Sequence, residues 1–385
     1  MVMPKSNNIL KILIIFISLL SSSVMAFSAS PITVTNTNDH GPGSLRWAIN
    51  YANSNGGAEI EFNIQGSGPY TIQPQTPLPD IAESVVINGY SQPGAAPASN
   101  TDPAVLLIEL DGNFSGNECT GYSGLSIYAD NCIVRGIVIN RFGDVAIDIY
   151  SAKNIIEGNY IGTDVTGTID LGNCDDGVRI WDYYNKIGGT TPAARNIISG
   201  NGDNGVEING PDAKHNLVQG NYIGIDASGK KALGNYNNGI LIVGKASYNM
   251  ITINFISGNG STSGTAGIWL QEAEKNSIVE NFIGTNAFEK RRLANNSGIV
   301  LFDYSDNNDI MENIVIGSNQ NGFWIKDSSD NTFTENTAKK NGQYGFSDET
   351  TDGGTLGTAN TYLENMCEKN KWGGSAPERL CSPQL

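Results

Sequence analysis

The chain has 385 residues, a formal charge of −16, only 16% charged residues and 46 glycines. That acidity excludes nucleic acid as the natural partner, and the scarcity of charge leaves a largely neutral polar surface. No Walker loop, dinucleotide fingerprint, Cys/His zinc spacing or Gly-x-Ser-x-Gly elbow occurs, so nothing supports a nucleotide, haem or zinc cofactor.

Residues 1–26 read as a secretory signal. Lys5 and Lys11 accompany the apolar stretch Ile9 to Leu20, followed by Ser21-Ser22-Ser23 and Val24-Met25-Ala26, with cleavage expected after Ala26. The apolar run is short for a membrane span, no Cys follows it to accept a lipid, and no later run approaches membrane length. The expectation is an exported protein, periplasmic or extracellular, with no span in the mature chain. Five cysteines in such a chain imply disulfides plus one leftover. Cys367 and Cys381 are expected to clamp the tail, while Cys119, Cys132 and Cys174 compete for one further bridge.

Residues 27–59 read as an N-terminal cap. A strand, Ile32 to Thr35, is broken at Gly41-Pro42-Gly43, after which Ser44 can cap a short helix. Leu45, Ala48, Ile49 and Ala52 give that helix one apolar face. From Ile60 to Leu110 short strands alternate with Pro-containing loops, which read as irregular early coils.

A regular array follows. The phrase Asn154-Ile-Ile-Glu-Gly-Asn159-Tyr-Ile161-Gly162 returns from Asn216 to Gly224 and again from Asn276 to Gly284. Coil starts fall at Asn131, Asn154, Asn185, Asn216, Asn249, Asn276, Asn308, Asn331 and Asn360, a period of about thirty residues that marks a solenoid. Each coil carries a second phrase of turn, Gly and alternating apolar residues, as in Asp176-Gly177-Val178-Arg179-Ile180. Period-2 alternation inside the coil signals strands. The predicted fold is therefore all-β, a right-handed parallel β-helix over 60–365, with a clamped tail over 366–385. The repeated Asn should stack as amide ladders at the turns. Alternate coils carry an insertion: Gly162 to Asn173, Gly224 to Asn235 and Gly284 to Asn295.

The opening Thr33 to Ile49 and the paired-coil phrases, including Ile187 to Asn201, resemble exported bacterial β-helix proteins of the pectin-lyase-like group. That resemblance implies the fold. The group spans polysaccharide lyases, polygalacturonases, methylesterases, uronan epimerases, tailspikes and adhesins, so it does not name the reaction. Asp175-Asp176 is similar to the paired Asp of polygalacturonases, but the Gly-His-Gly and Arg-x-Lys motifs of those enzymes are absent. His40 and His215 are the only histidines.

Equivalent positions in a β-helix stack at about 4.8 Å, so outward columns can be read directly. One column runs Asp148, Arg179, Glu207, Leu241, Trp269, Val300, Trp324. The next runs Tyr150, Trp181, Asn209, Val243, Gln271, Phe302, Lys326. Tyr150, Trp181, Trp269, Phe302 and Trp324 are the expected substrate-binding residues, an open aromatic row suited to sugar C–H faces unless the insertions fold over it. Asp148, Arg179 and Glu207 are the expected catalytic residues. Their carboxylates lie two rungs or about 9.6 Å apart, against roughly 6.5–9.5 Å in inverting glycosidases. A surface ion-pair ladder would look the same. In the preceding turn Asp144, Asp175 and Asp203 form a third column able to hold Ca²⁺, the ion that in the resembled pectate lyases links acidic side chains to an anionic substrate. Asp is also favoured in such turns for backbone reasons, and no cofactor is required. Lys230-Lys231 and Lys290-Arg291-Arg292 add a local basic ridge. The expected partner is a polysaccharide or surface glycan. The expected function is a polysaccharide lyase, hydrolase or epimerase, set against a non-catalytic adhesin, a glycan-binding surface protein or a purely structural solenoid.

Overall fold

The computed structural model describes residues 31–113 and 119–382; the expected signal segment lies outside them. Among the described residues, no helix is long and apolar enough to cross a membrane. The strands form three parallel sheets of twelve, eleven and ten strands, and from Val85 onward each coil contributes one strand to each sheet. The chain is thus a parallel β-helix.

The reason is visible rung by rung. Three-residue strands such as Ile155–Glu157 turn one side chain inward and two outward. The inward one stacks on its equivalent in the next coil. Ile156, Ile187, Val218, Ile251, Ile278 and Ile310 are in continuous register and fully buried. Each such side chain contributes about 1.5–3 kcal/mol of apolar burial.

The turns are held by amide ladders. The Asn185 backbone N–H donates to Asn216 Oδ1 at 2.8 Å, and Asn216 Nδ2 donates to Asn249 Oδ1 at 3.0 Å. A second ladder runs through Asn159, Asn196, Asn221 and Asn254, and a third through Asn173, Asn201, Asn235 and Asn259. Backbone groups that a tight coil would bury unpaired are satisfied this way. The coil start expected at Asn131 is displaced by one residue. Cys132 takes the ladder position, its N–H donating to Asn154 Oδ1 at 2.7 Å, while Asn131 adopts the positive φ shared by Lys153, Tyr184, His215 and Tyr248.

The one α-helix among the described residues, Leu45–Ser54, is capped by Ser44 and buries Leu45, Ala48, Ile49 and Ala52 against the first strands, as expected. The parallel ladder begins at Ile32–Val34 and ends at Gly373–Ala376, so it extends through segments that the sequence assigned to the cap and the tail. Cys367 pairs with Cys381 and Cys119 with Cys174, leaving Cys132 free and buried. Disulfides of this kind belong to oxidising compartments.

The insertions fold over the second sheet, not the third. Val165 and Ala227 pack with Tyr160 and Tyr222, and Ala227 N–H donates to Gly167 O as Ala287 N–H does to Gly229 O, both at 2.9 Å. The third sheet keeps its outer face free of them.

Candidate active site on the third sheet

The two outward columns are in the expected register. Asp148 pairs with Arg179, Arg179 with Glu207, Glu207 with Leu241, and Leu241 with Trp269. The aromatic residues, however, do not form one open row. Trp269 is only 9% accessible and packs with half-buried Phe302 and Trp324 at centroid distances of 5.6 and 6.2 Å. These three form a closed apolar cluster with Ala266 and Val300, because a wide ring in one column leans over the smaller residues beside it. Trp324 Nε1 donates to Glu349 Oε1 at 2.8 Å.

The open aromatic surface lies at the other end. Tyr128 stacks on Tyr150 at 4.6 Å, and Tyr150 lies parallel to Trp181 at 6.1 Å. Tyr128 and Tyr150 are exposed and Trp181 is half-buried. Sequence reasoning missed Tyr128 because it precedes the regular array; its signal was the alternation Leu125-Ser126-Ile127-Tyr128. It also missed a stack of Tyr184, His215 and Tyr248 at 5.1 and 5.3 Å, which stands at the positive-φ corner preceding the first ladder.

Beside the Tyr128–Tyr150–Trp181 strip sits one cation among many acids. The Arg179 guanidinium lies 3.1 Å from Asp175, 3.5 Å from Asp148, 3.6 Å from Asp144 and 3.8 Å from Asp176. Burial acts against its charge, but Asp148, Asp176, Asp175 and Glu207 outweigh that and raise its pKa. Asp148 is 2% accessible with both oxygens taken. Oδ1 accepts from Trp181 Nε1 at 2.9 Å, and Oδ2 accepts from Tyr150 Oη at 2.7 Å. It therefore fixes the strip and the arginine together. Glu207, 9% accessible, accepts from Asn209 Nδ2 at 2.6 Å. No ion pair joins Glu207 to Arg179 among the described residues, so Arg179 reaches back into the turn rather than bridging the two neighbouring rungs.

The turn column is also in place. Asp175 N–H donates to Asp144 O, Asp203 N–H to Asp175 O, and Asn237 N–H to Asp203 O. The three carboxylates that converge are Asp175, Asp176 and Asp203, whose ligand oxygens lie within 4.8 Å of one another. Asp144 is instead engaged by Ser123 Oγ at 2.8 Å and by Arg179. Burial raises the carboxyl of Asp175 against the pull of Arg179, helped by Asp203 and Asp144. Burial raises Asp203 as well. Asp176 is raised furthest, by burial first and then by Glu207 and Asp175. It closes an amide column, accepting from Asn204 N and Nδ2 at Oδ1, and its buried Oδ2 has no hydrogen-bond partner among the described residues. A ladder position filled by Asp instead of Asn was the available signal for it.

Two clefts elsewhere, of 250 and 630 Å³, flank Tyr90 on the first and second sheets, and none of the sequence-predicted catalytic, binding or metal residues lines either.

A match to the family description "Right handed beta helix region" covers residues 231–365 and gives the handedness of the coil. The chain is a right-handed parallel β-helix of the pectin-lyase-like fold. It is 30% identical over 161 residues to a 3-dehydroshikimate dehydratase of Acinetobacter baylyi, a match covering 36% of this chain and 31% of the relative. The chain thus matches about a third of that relative's length. Among solved structures, the A-module of a mannuronan C-5 epimerase from Azotobacter vinelandii superposes with a TM-score of 0.50 at 14% identity, over 89% of this chain and 96% of the module. A pectate lyase superposes with a TM-score of 0.48 at 14% identity, over 92% of this chain and 78% of its own.

Proposed function

We propose that this chain is an exported carbohydrate-active enzyme that lays a glycan across Tyr128, Tyr150 and Trp181 and cleaves it by proton transfer at the neighbouring carboxylates. The observation that carries this reading is a stacked aromatic strip tied through Asp148 and Arg179 to acids whose carboxyls are raised. Raised, close-set carboxyls provide a protonated and an ionised partner together, because like charges at short range do not both ionise. Asp175 is the accessible proton donor to the leaving glycosidic oxygen, and Asp203 the carboxylate facing the anomeric carbon. Their spacing, under 4.8 Å, lies nearer the roughly 5–5.5 Å of retaining glycosidases than the wider inverting gap. Burial first, and then Glu207 and Asp175, raise the Asp176 carboxyl, and Arg179 holds the cluster together. Asp148 acts as a positioning residue, since its oxygens are already committed.

A second reading rests on the buried Asp176 Oδ2, which accepts no hydrogen bond among the described residues. Three carboxylate oxygens this close suit a hard cation such as Ca²⁺, held by Asp175, Asp176 and Asp203. Such an ion supplies the positive charge that an acidic substrate needs and that Arg179, already paired, does not. The substrate would then be a uronan or a small hydroxy acid, in line with the names of the epimerase and the dehydratase above.

The test is a panel of neutral glycans, uronans and 3-dehydroshikimate, with Ca²⁺ or EDTA. New reducing ends without Ca²⁺ support hydrolysis. Ca²⁺-dependent unsaturated products support the second reading. Glycan binding with no product under any condition refutes both in favour of a non-catalytic glycan-binding protein.

A further inference from the structure

The three insertions act as an internal control for one another. Thr163 bridges Asp170, Ile225 bridges Ala232, and Thr285 bridges Arg292, which makes the loops equivalent residue by residue. Each is closed by a side-chain Oδ1 at the same position. Asp164 Oδ1 accepts from Thr168 and Ile169 N–H, Asp226 Oδ1 from Lys230 and Lys231 N–H, and Asn286 Oδ1 from Lys290 and Arg291 N–H. The backbone therefore does not depend on what the next three side chains are. Those side chains change from Thr168-Ile169-Asp170 to Lys230-Lys231-Ala232 to Lys290-Arg291-Arg292, so positive charge accumulates along the axis while the loop stays the same. The closing residue changes too, from Asp to Asn, which removes an acid beside the last group.

The third insertion also ends the stack. The first two have their backbone covered by Ala227 and Ala287, but the following coil runs on through Ile316 and Gly317 without an insertion. At this uncovered end a cavity of 170 Å³ opens, lined by Lys290, Arg291, Arg292, Lys339 and Lys340 with Glu289 among them. Arg292 is structural, its Nε donating to Gly317 O and an Nη to Asn319 Oδ1. Lys339 pairs with Glu368 at 3.3 Å. No ion pair reaches Lys290, Arg291 or Lys340 among the described residues. Exposed Phe288 stands at the loop tip, where Thr166 and Ser228 occupy the equivalent positions.

We propose that this cavity and the cationic loops leading to it are a docking site for an anionic polysaccharide, separate from the acidic site on the third sheet. Cations spaced over alternate coils match charges repeated along a polymer, and a single aromatic ring beside them offers a face for one sugar. A bilayer would instead call for several apolar side chains around the basic ones. The site stands whether or not the acidic face is catalytic.

The experiment measures binding of polygalacturonate, alginate and chondroitin sulfate oligosaccharides to the mature chain in EDTA, with inorganic phosphate and phosphatidylglycerol vesicles as separate arms. The expected result is binding of at least one oligosaccharide that weakens with salt. The double variant Lys290→Ala/Arg291→Ala should weaken it at least about tenfold, with an unchanged melting curve. Lys153→Ala/Lys371→Ala, which removes the same charge elsewhere, and Asp175→Asn should leave it intact. Equal loss in the two double variants, phosphate binding as tight as the oligosaccharides, vesicle binding alone, or no binding at all would overturn the proposal.

Discussion

Replacing Arg179 with Met tests whether charge or packing holds the acidic site together. The guanidinium is 18% accessible and lies within 4.0 Å of four carboxylates, two of them fully or nearly fully buried. Removing one partner of a buried ionic network costs about 3–5 kcal/mol, because the remaining charges are left uncompensated. Methionine keeps much of the stem and loses the contact over Trp181 at 5.7 Å, worth about 0.5–1 kcal/mol. The cost should therefore depend on pH. Asp175, Asp176 and Asp203 have raised carboxyls, so in the native state they take up protons at a higher pH than they do unfolded. As pH falls through those raised values, the Asp175 and Asp176 charges that need Arg179 disappear and the penalty shrinks. The assay is urea unfolding of both proteins at pH 8 and pH 4.5, urea being chosen because guanidinium would screen the ion pairs. A loss equal at both pH values would refute the electrostatic account.

Other consequences follow from single side chains. Asp176→Asn should stabilise the fold at pH 8 by about 1 kcal/mol, because it removes a buried carboxylate charge whose Oδ2 accepts no hydrogen bond among the described residues and which Glu207 and Asp175 repel, while lowering activity. It should also flatten the wild-type gain in stability as pH falls, which urea titrations across pH 5–8 would reveal. Asn221→Ala strips Asn196 and Ile187 of their buried partners and should cost about 2–3 kcal/mol, read from the unfolding midpoint. Burial pushes the Cys132 thiol up to about 12, so a thiol reagent at pH 8 should label one cysteine only after unfolding. Labelling of the folded protein would contradict its placement.

The fold was legible because a β-helix repeats its register. Once the Asn phrase aligned the coils, the pairing of Asp148, Arg179 and Glu207 followed, as did the helix cap at Ser44. What stayed hidden depended on neighbours that the repeat does not encode. Trp269, Phe302 and Trp324 share outward columns with Trp181, but their rings bury one another, and register carries no information on how a ring tilts. Asp176 looked like a turn residue; its meaning lay in closing a ladder whose next members are Asn204 and Asn238. Arg179 pairs with Asp148 on the neighbouring rung, but otherwise its long side chain reaches back to the Asp144 and Asp175 turn instead of to Glu207, a choice that register does not encode. The insertions were recognisable, but the sheet they cover was set by Tyr160 and Tyr222 on the second face, outside the columns read from the repeat.

The most direct test of the account is turnover by Asp175→Asn on whichever glycan the wild type cleaves. Loss of a positioned acid should lower kcat by about 10²–10⁴, with glycan affinity on the Tyr128–Tyr150–Trp181 strip kept within a few-fold. Retained turnover in this variant would contradict the assignment of chemistry to the acidic cluster.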